Sequence, residues 1–313
     1  MKTYIARRIL HLIPILLGIT LLSFGLMHTV AGDAIDVMEA NRGTVLSEET
    51  KDRLRSELNL DKPFLVQYGI WLKDMVSGDM GTSYVSGKPV FSTFLQKLPA
   101  TILLTITSIL CTIIISFPLG IIAALNRNGW SDYLIRFSSF VGNSLPGFFV
   151  SLLLIYVFSL KLNLLPVMNT SGGWQGIILP TMTLTIAMSA KYVRQIRAVV
   201  LAELNKDYVI AAKVRGIPYR TIILTSVMKV TLLSFITLLS LSVGSLLGGT
   251  AIIESIFMWD GVGKMAVDAI LMRDYPIILA YVVWLAIIYV IFNLITDILY
   301  HYLDPRIRLG AKK

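Results

Sequence analysis

Charge is scarce in this chain. Only 15% of its 313 residues are Asp, Glu, Lys or Arg, and 55% are hydrophobic. A soluble domain carries about 25% charged and about 45–50% apolar residues, so the pair of soluble domains suggested by length alone is excluded. Cysteine is nearly absent: Cys111 is the single one. No intrachain disulfide can form, and its place in an apolar run makes it a small core or lipid-facing residue. The three histidines, His11, His28 and His301, are too dispersed for a sequence-local metal site. The P-loop and the His-Glu-x-x-His pattern are both missing, and Gly81-Thr82-Ser83 has no histidine nearby to make it a nucleophile elbow. No catalytic set, cofactor site or metal site is expected. Ionisable groups inside the apolar runs are few, with Glu254 and Asp297 both near run ends. A proton- or sodium-coupled carrier keeps such groups at mid-membrane, so any driving energy is expected to enter elsewhere. The inverted repeat of many secondary transporters is also absent.

Long apolar runs are what the chain does have, and its mean hydropathy is +0.73. The run from Ile9 to Val30 exceeds the 7–15 residues of a signal-peptide core and is long enough to cross a bilayer. Val30-Ala31-Gly32 is a weak cleavage site, and an uncleaved first helix is the preferred reading. Five more spans are expected near 101–125, 134–160, 177–199, 228–250 and 277–300. The fold expected is an all-α polytopic membrane protein with six transmembrane helices and a helical extracellular loop between the first two. The run 101–125 has no charged residue, and one charge at a span centre costs about 2.5–3.5 kcal/mol on insertion scales. Pro118-Leu119-Gly120 and Pro146-Gly147 are breakers within or at the start of spans, tolerated where neighbouring helices satisfy the freed backbone groups.

Net charge is +9, from 28 basic and 19 acidic residues. Much of the excess sits beside apolar spans, which fits the positive-inside bias better than nucleic-acid binding. Lys2, Arg7 and Arg8 place the N-terminus in the cytoplasm. The loop between spans four and five carries Lys191, Arg194, Arg197, Lys206, Lys213, Arg215, Arg220 and Lys229 against Glu203 and Asp207. The tail, 301–313, adds Arg306, Arg308, Lys312 and Lys313. The stretch 251–276 holds Glu254, Asp260, Asp268 and Asp274 against Lys264 and Arg273, as an outside loop should. Alternation of sign therefore puts both termini inside.

The chain divides by composition into a first helix (1–30), an outer loop domain (31–99), a membrane domain (97–300) and the tail. In the outer loop Ser47 is a candidate N-cap with Glu48 and Glu49 in the first turn. Leu54 and Leu58 share a face of the helix that follows. Pro63 can open a second helix at its first position. Phe64, Tyr68, Trp71, Leu72 and Met75 form its apolar stripe, and Gly78 can stop it. That stripe packs on the membrane domain, receives an extracellular partner, or does both. In the fifth span Ser240, Gly244, Ser245, Gly248 and Gly249 either allow close helix packing or line a pathway with little side-chain obstruction.

The stretch 207–217, within the loop 200–227, is patterned more than a connector needs. Ala211, Ala212 and Gly216 put tiny side chains at helical spacing. Asp207 suits the start of a helix, and Lys213 and Arg215 its end. The segment is either a docking helix that sinks into a partner's cleft or an interfacial helix whose basic residues meet anionic lipid headgroups.

The spacing Ile210-Ala211-Ala212-x-x-x-Gly216 resembles the E-A-A-x-x-x-G loop of permeases of ATP-binding-cassette (ABC) importers. Ile210 stands where that motif has Glu, and its downstream Leu-Pro appears as Leu233-Ser234. The wider form Asp207-Tyr208-x-x-Ala211-x-x-x-Arg215-Gly216 is similar to the dipeptide, oligopeptide and nickel branch. So are Gly32-Asp33, Leu60-Asp61-x-Pro63, Gln67-Tyr68, Gly78-Asp79-x-Gly81-x-Ser83, Pro99-Ala100-Thr101, Ile178-Leu179-Pro180, Gly248-Gly249-x-x-x-Ile253-Glu254, Gly261-x-Gly263, Asp274-Tyr275-Pro276 and Leu303-Asp304-Pro305-Arg306. The resemblance covers nearly the whole chain. It implies the type I importer fold in a prokaryotic cell (inner) membrane, and a subunit that hydrolyses nothing itself. Its partners would be a homologous second permease, two cytoplasmic ATPases, an extracellular or periplasmic binding protein, and membrane lipid. Asp207, Tyr208, Ala211, Ala212, Arg215 and Gly216 would couple to the ATPase. Ser240, Gly244, Ser245, Gly248 and Gly249 would be candidates for the translocation path. Glu254, Asp260, Asp274 and Tyr275 would face the binding protein. Peptides, nickel complexes and metallophores all remain open as substrates; Gly172-Gly173-Trp174 looks most like nickel-type members. The alternative to the importer is a stand-alone channel or ion-coupled carrier.

Overall fold

A computed structural model describes residues 2–30, 35, 37–39, 46–168 and 173–303, without the side chains of 2–9, 11–12, 30, 240–243, 245, 247–249 and 297–303. Gly32-Asp33, Gly172 and most of the tail lie outside these residues. Among the described residues the chain is helical and forms no strand beyond one isolated bridge, Thr82 to Pro89. It falls into two compact units: Met1–Thr101 with Asp260–Ile291, and Ile102–Trp259 with Phe292–Lys313.

In the first unit, α1 (Lys2–Val30) is a single apolar helix carrying Pro14. Helix α2 (Glu48–Glu57) starts as expected: the Ser47 hydroxyl accepts the Thr50 N–H at 3.3 Å, and Glu48 and Glu49 lie in the first turn. Helix α3 (Phe64–Val76) begins one residue later than expected, because Pro63 is its extended N-cap rather than its first helical residue. It stops at Gly78 (φ +88°), where the Asp79 N–H reaches back to the Asp74 carbonyl. The α3 stripe packs inward. Phe64, Tyr68 and Trp71 surround the Phe24 ring of α1 at 5.4–5.7 Å, and the hydroxyls of Tyr68 and Thr20 meet at 2.9 Å. Met75 joins a core with Val90, Phe94, Met265 and Val283. The packing reading of this stripe is thus realised for Phe64, Tyr68, Trp71 and Met75. The unit also holds the helix Val262–Leu271 and most of the last helix, whose Trp284 stacks on Phe94 at 4.6 Å.

The long α4 (Val90–Leu125) starts eleven residues before the expected span and runs unbroken through Pro99 and Pro118. In the second unit its buried face is built of small hydroxyl residues four apart. Ser108, Thr112 and Ser116 are all solvent-free, and the hydroxyls of Ser108 and Thr112 donate to carbonyls one turn back at 2.7 Å. That face lets α7 (Ile178–Leu204) come close. A Cβ on Gly120 would lie 2.6 Å from Ile196 Cγ2 and 3.2 Å from the Val193 carbonyl oxygen, so glycine there is a contact requirement.

The expected span 134–160 is not one straight helix. Helices α5 (Trp130–Ser144) and α6 (Gly147–Leu154, continued by a π-turn Ile155–Lys161) meet at 104°. Pro146 supplies no N–H and holds Leu145 extended (ψ 130°), which ends α5 there. A short α8 (Asp207–Val214) follows α7. Helix α9 (Tyr219–Ile222) runs through a π-turn (Ile223–Val227) into α10 (Met228–Ile256). Helices α11 (Val262–Leu271) and α12 (Tyr275–Leu303) complete the chain. Helices therefore stand at all six places where spans were expected. Four stretches are each long and apolar enough to cross a membrane, in α4, in α7 with the 3-10 turn Trp174–Ile177 before it, in α9–α10 and in α12, and the bent pair makes up to five. In α1 the apolar part among the described residues is Ile13–Thr29.

Candidate functional site

The 207–217 stretch folds as the helix its end charges predict, held by a buried carboxylate at its root. Glu203, near the end of α7, is 6% exposed. It accepts from Lys206 Nζ at 2.5 Å and from the Tyr208 hydroxyl at 3.0 Å, fixing the turn between α7 and α8. Loss of solvent, followed by the Glu203 carboxylate, pushes the Tyr208 phenol up to about 12. Lys206 caps α8 with extended backbone, and Asp207 sits in the first turn, where a negative charge favours the helix dipole.

One face of α8 belongs to the chain's own core. Val209 and Ala212 are buried among Tyr192, Ile196, Val200, Val227 and Phe235. The opposite face, with Asp207, Ile210, Ala211 and Val214, is open, Val214 being 83% exposed. This corrects two expectations. Ala212 is small because it seats α8 on its own unit, so it is not available to a partner's cleft in this conformation. Gly216 does not extend a small-residue face, since it lies past the helix end in the left-handed region (φ +76°). Its N–H bonds the Lys213 carbonyl at 3.0 Å and the Ile217 N–H bonds that of Ala212 at 3.2 Å, the paired bonds of a glycine-terminated helix. Nothing lies within 4 Å of where its Cβ would be. The exposed surface is thus Ile210, Ala211 and Val214, continued by Ile217 and Tyr219 and bordered by Lys213, Arg215 and Arg220. Apolar side chains clustered in a charged rim are what a protein interface needs.

The residues expected to face an outer partner are placed differently. Asp274 is 2% exposed. Its carboxylate accepts from Ser83 Oγ at 2.5 Å and the Tyr84 N–H at 3.0 Å, pinning the turn before α4 to the start of α12. Tyr275 is buried with its ring against Tyr84. Burial, then the charge of Asp274, pushes the Tyr84 phenol up to about 12. Glu254, in α10, is solvent-free. Only Asp260, paired with Lys97, shows its carboxylate to solvent. Among the path candidates Gly244 is half-buried in α10; the side-chain positions of Ser240, Ser245, Gly248 and Gly249 lie outside the described residues. Among the described residues no group of three or more His, Cys, Asp or Glu could hold a metal ion.

One ionic site went unread in the sequence. Asp132, at the start of α5, is solvent-free, and Arg197 of α7 clamps it with Nε to Oδ1 and Nη2 to Oδ2, each 2.7 Å. The Asn128 N–H adds a third bond at 3.0 Å. An Asp four residues after a polar turn was the available signal, but its partner is 65 residues away.

Comparison with known proteins decides the family. Residues 116–309 match the family described as binding-protein-dependent transport system inner membrane component, and residues 1–105 match the N-terminal family of such membrane components. The chain belongs to this family of binding-protein-dependent importer permeases. It is the membrane subunit of an ABC importer, and ATP hydrolysis lies in separate subunits. The chain is 38% identical to the oligopeptide transport system permease protein AppB of Bacillus subtilis, covering 98% of this chain and 99% of that one. It is 34% identical to the dipeptide permease DppB of Alkalihalophilus pseudofirmus, covering 98% and 100% respectively. The glutathione permease GsiC of Escherichia coli K12 is also 34% identical, over 98% of this chain and 99% of that one. A chain of the MetNI methionine ABC transporter, in an inward-facing crystal form, aligns with TM-score 0.54 at 14% identity, covering 67% of this chain and 96% of that one. That likeness establishes the fold as that of a type I importer permease.

Proposed function

We propose that this permease carries short peptides inward, as one half of a pathway formed with a homologous second permease. The full-length identity to oligopeptide, dipeptide and glutathione permeases supports this substrate class. The nickel reading drawn from Gly172-Gly173-Trp174 has no comparable support. In this reading 97–300 is the translocating domain and 31–99 an outer loop domain. Two ATPase subunits act from the side of α8, and a binding protein delivers peptide from the opposite side. The basic loop 191–229 and the N-terminal Lys2, Arg7 and Arg8 support a cytoplasmic position for α8 and both termini in a prokaryotic cell membrane.

The open face of α8 carries the coupling. Ile210, Ala211 and Val214 form the apolar centre of the ATPase contact, with Asp207 and Arg215 at its rim. Tyr208 and Glu203 hold the helix to α7, so a push on α8 reaches the membrane helices through a fixed joint. Gly216 ends the helix at the required length. Asp260 is the accessible candidate toward the binding protein, and Gly244 a candidate on the path. The test is ATP-dependent uptake of di- to pentapeptides into vesicles containing the permease with co-expressed partner subunits. Uptake that needs both ATP and the binding protein is the expected result. Uptake by this chain alone under an ion gradient would overturn the proposal.

A further inference from the structure

We infer that the pocket between α5 and α7 is a seat for the phosphate of an anionic phospholipid, with the acyl chains lying along Phe137 and Phe140. The pocket has a volume of about 500 Å³ and is lined by Tyr133, Arg136, Phe137, Phe140, Arg194 and Arg197.

The charge is unbalanced in a way that calls for an anion. Three guanidinium groups line the pocket. Arg197 is neutralised by the buried Asp132, whose three bonds all point to protein. Arg136 and Arg194 are exposed, and neither is ion-paired to a carboxylate among the described residues. Arg136 lies over the Tyr133 ring, at 5.9 Å, and Asp132 acts on it only as a nearby charge, its oxygens being bonded to Arg197 and Asn128. Arginine's planar fork matches phosphate oxygens bidentately.

Depth selects a lipid as the source of the phosphate. Helix α4 carries no charge after Lys97 and ends at Leu125, the turn 126–129 follows, and α5 opens on Trp130, which is 83% exposed. Trp and Tyr exposed at the mouth of a span mark the headgroup level. Tyr133, Arg136, Phe137 and Phe140 then follow at helical spacing on one side of α5. The order along that face is interfacial aromatic, cation, exposed aromatic hydrocarbon. That order matches headgroup, phosphate and acyl chain. A free phosphate would use the two arginines and leave Phe137 and Phe140, 67% and 64% exposed, without an occupant. A zwitterionic lipid brings a cation beside Arg136 and Arg194 as well as a phosphate. Basic pockets between spans are known to take anionic headgroups. This inference requires only that the chain is embedded in a membrane, and it is independent of the peptide proposal.

The test uses the whole transporter, purified with its partner subunits and placed in nanodiscs of phosphatidylcholine with or without phosphatidylglycerol. Native mass spectrometry reads the lipid retained per assembly. Phosphatidylglycerol is expected to be retained over phosphatidylcholine by roughly tenfold or more. The R136Q/R194Q variant should lose that preference, with an unchanged melting temperature in phosphatidylcholine alone. R136K/R194K should keep part of the preference because the charges remain. Inorganic phosphate added to phosphatidylcholine discs should neither bind nor stabilise. The inference is overturned by equal preference in wild type and R136Q/R194Q, by phosphate alone reproducing the effect of phosphatidylglycerol, or by a cross-link from Cys at position 136 into the second permease.

Discussion

Arg197 and Asp132 lie 65 residues apart and meet through two parallel 2.7 Å bonds, with the carboxylate sealed from solvent. This clamp fastens the start of the bent pair α5–α6 to the helix from which α8 hangs. Removing one member of a buried pair leaves the other without a counter-charge, which costs about 3 kcal/mol or more, while replacing both by apolar residues costs far less. R197M and D132L should each melt well below wild type in detergent, and R197M/D132L should recover most of the loss. A double variant as unstable as the sum of the singles would show that the pair is not acting as one unit.

Close packing of α4 on α7 predicts a second pair. Gly120→Ala puts a methyl 2.6 Å from Ile196 Cγ2, a β-branched atom that cannot swing away. Overpacking of this kind costs about 1–3 kcal/mol. A lowered melting temperature is expected, with partial rescue by I196A in the same chain. Equal stability of G120A and wild type would mean that the helices are less tightly apposed than this.

The signals that could be read from sequence were the repeated and local ones. Apolar run length located the membrane helices, Ser47-Glu48-Glu49 located the start of α2, and the end charges of 207–215 located α8. Three features needed the fold. The bend at Pro146 turns on whether neighbours straighten the helix, which composition does not record. Ala212 and Ala211 are alike in sequence, yet the Tyr192–Phe235 core takes one and leaves the other exposed. Asp274 and Glu254 suggest an acidic outer surface, but the first is consumed by Ser83 and Tyr84 and the second is buried. Gly216 belongs to the same lesson: a small residue in a motif can be there for its backbone rather than its volume.

That distinction is testable at Gly216. Its φ of +76° is strained for L-residues other than Asn or Asp, while the space around it is open. G216A and G216L should therefore weaken ATPase binding to a similar degree, with a backbone cost of about 1–2 kcal/mol. G216N should be close to wild type in a pull-down with the ATPase subunit. A graded loss from Ala to Leu, with Asn also impaired, would restore volume as the controlling property.

Tyr84 offers a pH signature. Burial and Asp274 raise its phenol from the usual value near 10 to about 12. The folded state therefore favours the protonated phenol. Its contribution to stability is complete below about pH 10 and is lost as pH rises through 12. Ultraviolet difference titration should show two late-ionising tyrosines, Tyr84 and Tyr208, and Y84F should remove one of them while Y208F removes the other. D274N should titrate Tyr84 earlier, because the neighbouring negative charge is gone.

Energy is expected to enter the permease through the open face of α8. Val214→Glu changes a side chain that is 83% exposed, so the melting temperature of the isolated permease should stay within a degree or two, as for an ordinary surface substitution. The decisive measurement is ATP-driven peptide uptake in vesicles containing the assembled V214E transporter. A drop to about a tenth or less, as expected from a buried charge at the centre of an interface, with the ATPase subunit lost on purification, is the predicted result. Wild-type uptake with the ATPase still bound would contradict the claim that energy enters the permease through this helix.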